Sequence, residues 1–333
     1  MASKINFGII GCSSVAKNSF IPAILKTNHA GLEYVGSRSI SKSKFIARKF
    51  HCKNFGNYDD VLENKNIDVV YISLPIALQE KWIMKAAKAG KHVLCEKSST
   101  ISYDSAQKIV KECKKNGVRI MENFSFIFHP QQTKILQLVN SNKFGKTFSF
   151  SGKFGFNLNY SANNFRFKKE LGGGILNDVG CYIIRASQFI FQSMPLTIFC
   201  NLDYNKKYKI DMKGTIFMTF PNGNSSIGEF GYCNGFQSRY SIWSEKSIIT
   251  TDRAFNIKRN QSSKISITSE KNSKTFQVKK YDQFKLLLDF FCKVIQKNSS
   301  DKSLFEDSLL RQALIMDYAR KSSKLKSSLE IKS

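Results

Sequence analysis

The chain has 333 residues, of which 42% are hydrophobic, 13% aromatic and 23% charged. This length predicts two domains of about 100–200 residues each rather than one core. The composition is that of a globular protein and excludes a disordered or collagenous one. No stretch approaches the ~18–20 uncharged apolar residues of a membrane span, so no membrane partner is expected. The first ten residues are too short and too interrupted by glycine for a signal peptide and predict a buried strand.

The formal net charge is +27, and most of the excess is lysine scattered with asparagine and serine over expected loops and the tail. No arginine–aromatic strip accompanies it, so we interpret the charge as solvated surface and expect no nucleic-acid partner. It would still favour an anionic small molecule. Eight cysteines occur without a CxxC pair, and four histidines lack metal-ligand spacing. The sequence therefore predicts reduced thiols, a cytoplasmic location and no metal site.

The first 120 residues alternate short apolar runs with amphipathic stretches. Strands are predicted at Ile5–Ile10, Leu32–Ser37, Val69–Leu74, His92–Glu96 and Val118–Glu122. Helices are predicted at Phe20–Lys26, Lys42–Phe50, Glu80–Ala89 and Tyr103–Lys115. Alternation of this kind is typical of βαβ units, and it predicts a doubly wound parallel sheet of the Rossmann type. We place this first domain at residues 1–122.

From about Gly145 the pattern changes to a period of two, beginning with Thr147–Leu158. Further strands are predicted at Thr215–Phe220, Tyr240–Trp243, Lys264–Thr268 and Thr275–Val278, followed by helices at Asp282–Gln296 and Leu304–Ser322. The pattern predicts a second, α+β domain at residues 123–333 with a large, mainly antiparallel open sheet. The basic tail from about residue 323 is expected to fray.

A dinucleotide-binding turn is predicted directly after the first strand. Gly11, Ser13 and Ala16 occupy the positions of the three small residues of the Rossmann fingerprint, with Cys12, Ser14 and Val15 completing the segment. Glycine allows the sharp turn, and the N-terminus of the following helix can hold a pyrophosphate. A tight turn kept only for packing is the alternative.

The next predicted strand ends in Ser37-Arg38, with Lys42 one turn later. A site that prefers NAD would place a carboxylate there for the ribose 2′-hydroxyl. A hydroxyl and a guanidinium can instead bind a 2′-phosphate, which favours NADP over NAD. A solvated arginine at a helix start is the alternative.

Two further segments could carry chemistry. Lys97 follows the predicted strand His92–Glu96, at the sheet edge where ligands bind; a lysine that simply emerges into solvent is the alternative. In Gly172–Tyr182, three glycines precede Asp178 and Tyr182, which are four residues apart and would share one helix face. A carboxylate and a phenol on one face suit a hydroxyl-bearing substrate, and an ordinary core helix after a flexible loop is the alternative.

Taken together, these segments resemble the Gfo/Idh/MocA family (glucose–fructose oxidoreductase, inositol dehydrogenase, rhizopine catabolism) over essentially the whole chain. Besides the opening glycine-rich turn, the resemblance rests on Gly90–Lys97, Met121–Phe124, Phe128–Gln131, Asn164–Arg166 and Gly172–Tyr182. It implies a Rossmann domain, a second domain with a large open sheet, and homo-dimers or homo-tetramers formed through that sheet. It also implies hydride transfer between a nicotinamide and a sugar, a cyclitol or a related carbonyl compound.

The resemblance also implies roles for particular residues. Lys97 matches the family's active-site lysine. Tyr182 stands where other members have histidine. In this respect the chain is similar to the branch that holds sugar-nucleotide 3-ketoreductases, aldose dehydrogenases and dihydrodiol dehydrogenases. Substrate contacts are expected from Phe124, Asn177 and Asp178. Further cofactor contacts are expected from Leu74, Pro75, Gln79, Glu96, Lys97, Asn123 and Arg166.

Two positions depart from the family pattern near the lysine. Ser98 stands where the family has proline, whose ring helps to fix the turn. Gln79 stands where histidine is usual, and Ile76 where asparagine is common. Lys97 is therefore expected to be held less firmly, or differently, than in the family.

The function expected from these observations is NADPH-dependent reduction of a keto-sugar, free or nucleotide-linked, with Tyr182 as proton donor and Lys97 as its electrostatic partner. Oxidation of a free aldose or a trans-dihydrodiol by the same pair is an alternative within the enzyme class. A non-catalytic NADP-binding sensor is the alternative from another class.

Overall fold

The computed structural model describes residues 4–141, 143–161, 164–297, 301 and 305–332. The chain divides into two units, one made of Met1–Ser125 with Phe284–Leu310 and the other of Phe126–Gln283 with Arg311–Ser333. The first break lies close to the boundary predicted at residue 122. Phe284–Leu310, however, belongs to the first unit, where the ring of Phe291 packs 6.5 Å from that of Phe7. An apolar face of this late helix thus covers the first sheet. A single boundary between two domains cannot describe a chain that returns to its first unit.

The first unit contains a six-stranded parallel sheet in the order β3-β2-β1-β4-β5-β6. Its strands are β1 Ile5–Ile10, β2 Ala30–Gly36, β3 Asn54–Gly56, β4 Val69–Ile72, β5 His92–Glu96 and β6 Ile120–Asn123. Its helices are a π turn, Ala16–Phe20, leading into α1 Ile21–Ile24, then α2 Ile40–Lys49, α3 Tyr58–Glu63, α4 Ile76–Lys88 and α5 Tyr103–Lys115. The short β3 and α3 escaped prediction because three- and six-residue elements carry too little periodicity.

The second unit is built on a nine-stranded sheet in the order β14-β13-β12-β11-β7-β10-β9-β8-β15. Its strands are β7 Thr147–Phe156, β8 Thr197–Tyr204, β9 Asp211–Thr219, β10 Ser225–Tyr232, β11 Gln237–Ser244, β12 Ile248–Thr251, β13 Ser263–Thr268, β14 Ser273–Val278 and β15 Leu329–Glu330. Only β7 and β10 pair in parallel among these neighbours. The predicted fold class is confirmed.

The remaining helices follow β6 and the strands of this sheet along the chain. They are α6 Pro130–Asn140, a π turn Leu176–Gly180 leading into α7 Cys181–Phe191, then α8 Gln283–Gln296, whose residues from Phe284 belong to the first unit, and α9 Glu306–Leu325. Single turns of 3₁₀ helix occur at Ser125–Phe128, Phe165–Phe167, Lys169–Leu171 and Pro221–Gly223. Leu304, the predicted start of the last helix, lies outside the described residues. No helix among those described has the length and apolarity to cross a bilayer.

The prediction that the tail frays is wrong. Leu329 pairs with Ile198 and Glu330 with Thr197, so β15 adds an antiparallel strand to the edge of β8. The Ile331 N–H then donates to the Leu196 carbonyl at 2.8 Å. The edge strand offers unpaired backbone groups, and the tail satisfies some of them.

Candidate active site

The predicted cofactor residues of the first unit collect at the carboxyl edge of the parallel sheet, whereas Arg166 lies in the second unit. Because β1 to β6 are all parallel, the residues that follow each strand emerge at the same edge. The winding direction reverses between β1 and β4, which is the position where open α/β sheets bind ligands. The residues at or directly after the ends of these strands include Gly11, Ser37, Ser73, Lys97 and Asn123.

The glycine-rich turn has the geometry of an anion cradle. Gly11 has a φ of +101°, and a Cβ there would lie 2.5 Å from the Ser73 carbonyl oxygen, so only glycine fits. The Ser13 hydroxyl accepts from the Ala16 N–H at 3.0 Å and is hydrogen-bonded to the Ser73 hydroxyl. Ser14 is exposed, and the first N–H groups of the helix have no partner within the helix. The turn therefore fits a pyrophosphate.

The end of β2 brings a hydroxyl and cations next to this turn. Ser37 is buried, whereas Arg38 and Lys42 are exposed. Burial raises the pKa of the Cys12 thiol, while attraction to Lys42 and a hydrogen bond with Ser37 act in the opposite direction. These groups therefore lie close to the turn, and Ser37-Arg38 supplies no carboxylate that would repel a 2′-phosphate.

Glu96, at the end of β5, is the acceptor of a buried polar network. Its Oε1 accepts hydrogen bonds from the Tyr71 hydroxyl and, at 2.6 Å, from the Asn123 amide. Burial raises the pKa of Glu96. Burial, and then the negative charge of Glu96 and the hydrogen bond to it, raise the pKa of Tyr71 well above its ordinary value. The Phe20 ring stacks on Tyr71 at 3.5 Å. Sequence reasoning missed Tyr71, although it is the one polar side chain within β4.

The turn that carries Lys97 is held by two side chains from neighbouring elements. The Gln79 amide donates to the carbonyls of Glu96, at 3.1 Å, and Ser98, at 3.0 Å. The Ser99 N–H donates to Glu122 Oε1 at 2.7 Å. The peptide bond between Lys97 and Ser98 is cis.

Gln79, which was expected to contact the cofactor, is part of this turn. Its side chain is fully enclosed, with 0% exposure, and both hydrogens of its amide point to backbone carbonyls. It supports the lysine turn from α4. The nearby Leu74 and Pro75 are half-buried and follow β4 beside the glycine-rich turn, while Phe124 is buried at 3% exposure.

In the second unit, the glycine-rich loop packs too closely for side chains. A Cβ at Gly173 would collide with the Arg166 carbonyl, and Gly174 has a φ of +116°. The loop leads into the π turn Leu176–Gly180, where the Leu176 N–H donates to Asp211 Oδ2 at 2.6 Å. The Asp211 carboxylate thus satisfies an N–H group in the first turn of the helix that carries Tyr182.

Arg166 and Asp178 form an ion pair within this unit. Arg166 Nε lies 2.5 Å from Asp178 Oδ2, and the Tyr232 hydroxyl donates to the same oxygen at 3.1 Å. Burial opposes the charge of Arg166, but attraction to Asp178, Tyr232 and Tyr182 leaves its pKa above the usual value. Arg166 therefore lies near both residues that the sequence singled out on this helix.

Tyr182 is half-buried among aromatic rings. Its ring centroid lies 5.6 Å from Phe126, 5.4 Å from Phe154 and 5.7 Å from Phe255. These rings, which sequence reasoning also missed, exclude water from one side of the phenol. They come from three separate segments, so no local pattern could have found them.

Asn177, expected to contact substrate, is held by partners in its own unit. Its amide nitrogen donates to the Gly172 carbonyl at 3.0 Å, and its carbonyl oxygen accepts from Arg320 at 2.6 Å. The described residues hold no cluster of three or more histidines, cysteines, aspartates or glutamates with metal-binding geometry. None of the eight cysteines, all of which are described, forms a disulfide.

Sequence comparison places the chain in a known family. Residues 5–124 match the profile of the Gfo/Idh/MocA oxidoreductase family with an NAD-binding Rossmann fold, and residues 133–250 match the C-terminal domain of that family. The chain therefore belongs to the Gfo/Idh/MocA oxidoreductase family.

Individual relatives give the finer comparison. dTDP-3,4-didehydro-2,6-dideoxy-alpha-D-glucose 3-reductase of Saccharopolyspora spinosa is 29% identical over 77% of this chain and 76% of that protein. D-xylose 1-dehydrogenase (NADP(+)) 2 of Haloferax volcanii is 25% identical over 91% of this chain and 93% of that protein. The structure of KijD10, a 3-ketoreductase from Actinomadura kijaniata in complex with NADP and TDP-benzene, matches with a TM-score of 0.92 and 25% identity over 96% of this chain and 98% of that one.

Three predictions are confirmed by the family models and the sheet topology: the family, the fold class with its Rossmann domain, and the oxidoreductase class.

Proposed function

We propose that the protein is an NADPH-dependent reductase of a keto group on a nucleotide-linked sugar. The observation that carries the proposal is the match over nearly the whole chain to a 3-ketoreductase that binds NADP and a TDP compound. Lys97 and Tyr182 stand at the positions that the family pattern gives to catalytic residues. The net charge of +27 is compatible with a diphosphate-bearing substrate.

In this proposal, the dinucleotide pyrophosphate rests on Gly11 to Ala16, and the 2′-phosphate is held by Ser37, Arg38 and Lys42. The exposed side chains of Arg38 and Lys42 and the N–H groups of the helix start support this assignment. When bound, the reduced nicotinamide supplies the hydride. Glu96 and Asn123 would lie along the same sheet edge, next to Lys97.

Tyr182 would donate the proton to the oxygen of the substrate carbonyl as that oxygen gains charge. The Lys97 ammonium would stabilise the developing negative charge and make the phenol a stronger acid, because a nearby cation favours the phenolate. Arg166, whose charge interacts with Tyr182, adds to this effect. Asp178 would orient a neighbouring substrate hydroxyl while paired with Arg166.

A second candidate is the reverse reaction on a free sugar. It is favoured by one observation, the match to an NADP-dependent D-xylose 1-dehydrogenase over 91% of the chain. The same lysine–tyrosine pair would then accept the proton. Dinucleotide binding without turnover would instead indicate a non-catalytic NADP-binding sensor.

The test is incubation of the purified protein with NADPH and a panel of dTDP-linked keto-sugars, followed by the loss of nicotinamide absorbance. Turnover of a 3-keto substrate supports the proposal. NADP⁺ reduction with free D-xylose, and none with the panel, would favour the second candidate. Tight NADPH binding without turnover on either set would overturn both.

We also propose that two copies pair through the open face of the large sheet in a cytoplasmic homo-oligomer. Phe199, Phe217 and Ile227 lie in one cross-strand row and are 39%, 40% and 45% exposed. Such a row is typical of an interface. Phe217→Lys should halve the mass measured by light scattering, whereas Phe45→Lys, at an exposed residue of α2, should not. A wild-type monomer would contradict the proposal.

A further inference from the structure

The backbone on either side of Lys97 is held by one side chain from α4. The turn is enclosed, since Ser98 is 4% and Ser99 is 2% exposed. Buried carbonyls need hydrogen-bond donors, and leaving one without a donor is costly. The Gln79 amide supplies donors to the carbonyls of Glu96 and Ser98, the two residues that flank the lysine.

Gln79 suits this task because of where it lies and what it carries. It stands in the first turn of α4, is 0% exposed, and its amide nitrogen bears two hydrogens. A neutral histidine, the usual residue in the family pattern, carries a single N–H and could satisfy one carbonyl only. The carbonyl oxygen of Gln79 has no hydrogen-bond partner in the described part of the chain, so the donors are the part of the amide that is used.

A second brace acts from the opposite side of the turn. Glu122, in β6, accepts from the Ser99 N–H at 2.7 Å. Hydrogen bonds thus tie the turn to α4 at Glu96 and Ser98, on either side of Lys97, and to β6 at Ser99. With the backbone held at three points, the direction in which the Lys97 side chain leaves the turn is set by α4 and β6.

We infer that Gln79 is a positioning residue for Lys97 and that its two hydrogen bonds replace the restraint that proline supplies at position 98 in the family pattern. The inference rests on the proposed function, in which Lys97 acts on the substrate. Gln79 acts through the backbone, and Lys97 alone is the catalytic residue. The turn is therefore held by side-chain hydrogen bonds where the family pattern has a proline ring.

The test compares Gln79→Met, which keeps the length of the side chain and removes both donors, with Gln79→His and with the double variant Gln79→Met/Ser98→Pro. A displaced catalytic group costs on the order of 10²-fold in rate. We expect Gln79→Met to lower kcat about 10–100-fold, with KM and the NADPH Kd within about threefold. The kcat of Gln79→His should fall between those of Gln79→Met and the wild type. The kcat of the double variant Gln79→Met/Ser98→Pro should be at least fivefold higher than that of Gln79→Met.

The matched control is Gln131→Met, in the second unit. Gln131 is also 0% exposed, donates its amide to a backbone carbonyl, that of Arg253 at 3.0 Å, and has a carbonyl oxygen without a partner among the described residues. It should lose a similar amount of thermal stability and keep its kcat. A kcat of Gln79→Met within twofold of the wild type, or no recovery with Ser98→Pro, would overturn the inference.

Amide hydrogen exchange separates this inference from the proposed function. In Gln79→Met, the amides of residues 97–100 should exchange at least tenfold faster than in the wild type, while those of α5 should be unchanged. If the wild type reduces no substrate, the proposed function fails and the exchange result alone decides whether Gln79 holds the turn. Unchanged exchange at residues 97–100 refutes the role of Gln79.

Discussion

Arg166 donates from Nε to Oδ2 of Asp178 at 2.5 Å, and this pair binds the residues before the glycine-rich loop to the helix after it. The pair is partly buried, with side-chain exposures of 33% and 10%. The carboxylate that the sequence assigned to substrate is therefore also the partner of the arginine assigned to the cofactor. A change at either residue alters the surroundings of both.

A double-mutant cycle on this pair should show coupling. Arg166→Met and Asp178→Asn should each lower the free energy of unfolding by about 1.5–3 kcal/mol, because each leaves a partly buried partner unmatched. The double variant should lose less than the sum. Denaturant unfolding measures this, and strictly additive losses would contradict the coupling.

Replacement of Tyr182 by phenylalanine should lower kcat about 10²–10⁴-fold, because it removes the proton donor and leaves the ring packed among its neighbours. The NADPH Kd should be nearly unchanged. Tyr240→Phe is the control, since it removes a buried hydroxyl that is bonded to Gln132. A Tyr182→Phe enzyme with full activity would refute the assigned role.

Arg38→Gln should weaken NADPH binding about 10–100-fold, the value of a lost charge-assisted hydrogen bond to phosphate. NADH, which lacks the 2′-phosphate, should bind with a nearly unchanged Kd. Fluorescence titration measures both. Arg48→Gln, at an exposed arginine on α2, is the matched control, and equal losses for the two cofactors would place the 2′-phosphate elsewhere.

The stability should fall in mild acid because of His129. Burial lowers the pKa of His129 from 6.5 to about 4. Between these values the unfolded chain binds a proton that the folded protein does not, so the free energy of unfolding decreases as the pH falls from 6.5 to 4, by up to about 3 kcal/mol.

His129→Asn should flatten this dependence, because asparagine can still accept from the Gln131 N–H at the start of α6. Denaturant unfolding at several pH values between 4 and 7 measures the slope. His51→Asn, the same substitution at an exposed histidine, is the control. The same slope in both variants would assign the acid sensitivity to other groups.

Deletion of residues 327–333 should lower the free energy of unfolding by about 1–3 kcal/mol. The deletion removes β15 and the Ile331 hydrogen bond and exposes the edge of β8. Thermal melting monitored by circular dichroism measures the loss. Glu330→Gln, which keeps the backbone, should melt like the wild type. A deletion variant with an unchanged melting temperature would show that the tail adds no stability.

Local patterns in the sequence were enough to predict the turn at Gly11 and the strands and helices of the first unit, except the short β3 and α3. Apolar periodicity and the small residues of a tight turn act over a few neighbours, so they can be read without a structure. The order of the motifs then predicted the family, and with it the candidate roles of Lys97 and Tyr182.

Tertiary structure alone decided which distant residues meet. Tyr71 bonds Glu96, 25 residues away, and the Gln79 amide reaches both carbonyls beside Lys97. The tail joins β8, and Phe284–Leu310 packs with the first unit. Each of these depends on burying apolar surface and on finding partners for backbone groups across the fold. Those requirements act between segments far apart in the chain and leave no local periodicity to read.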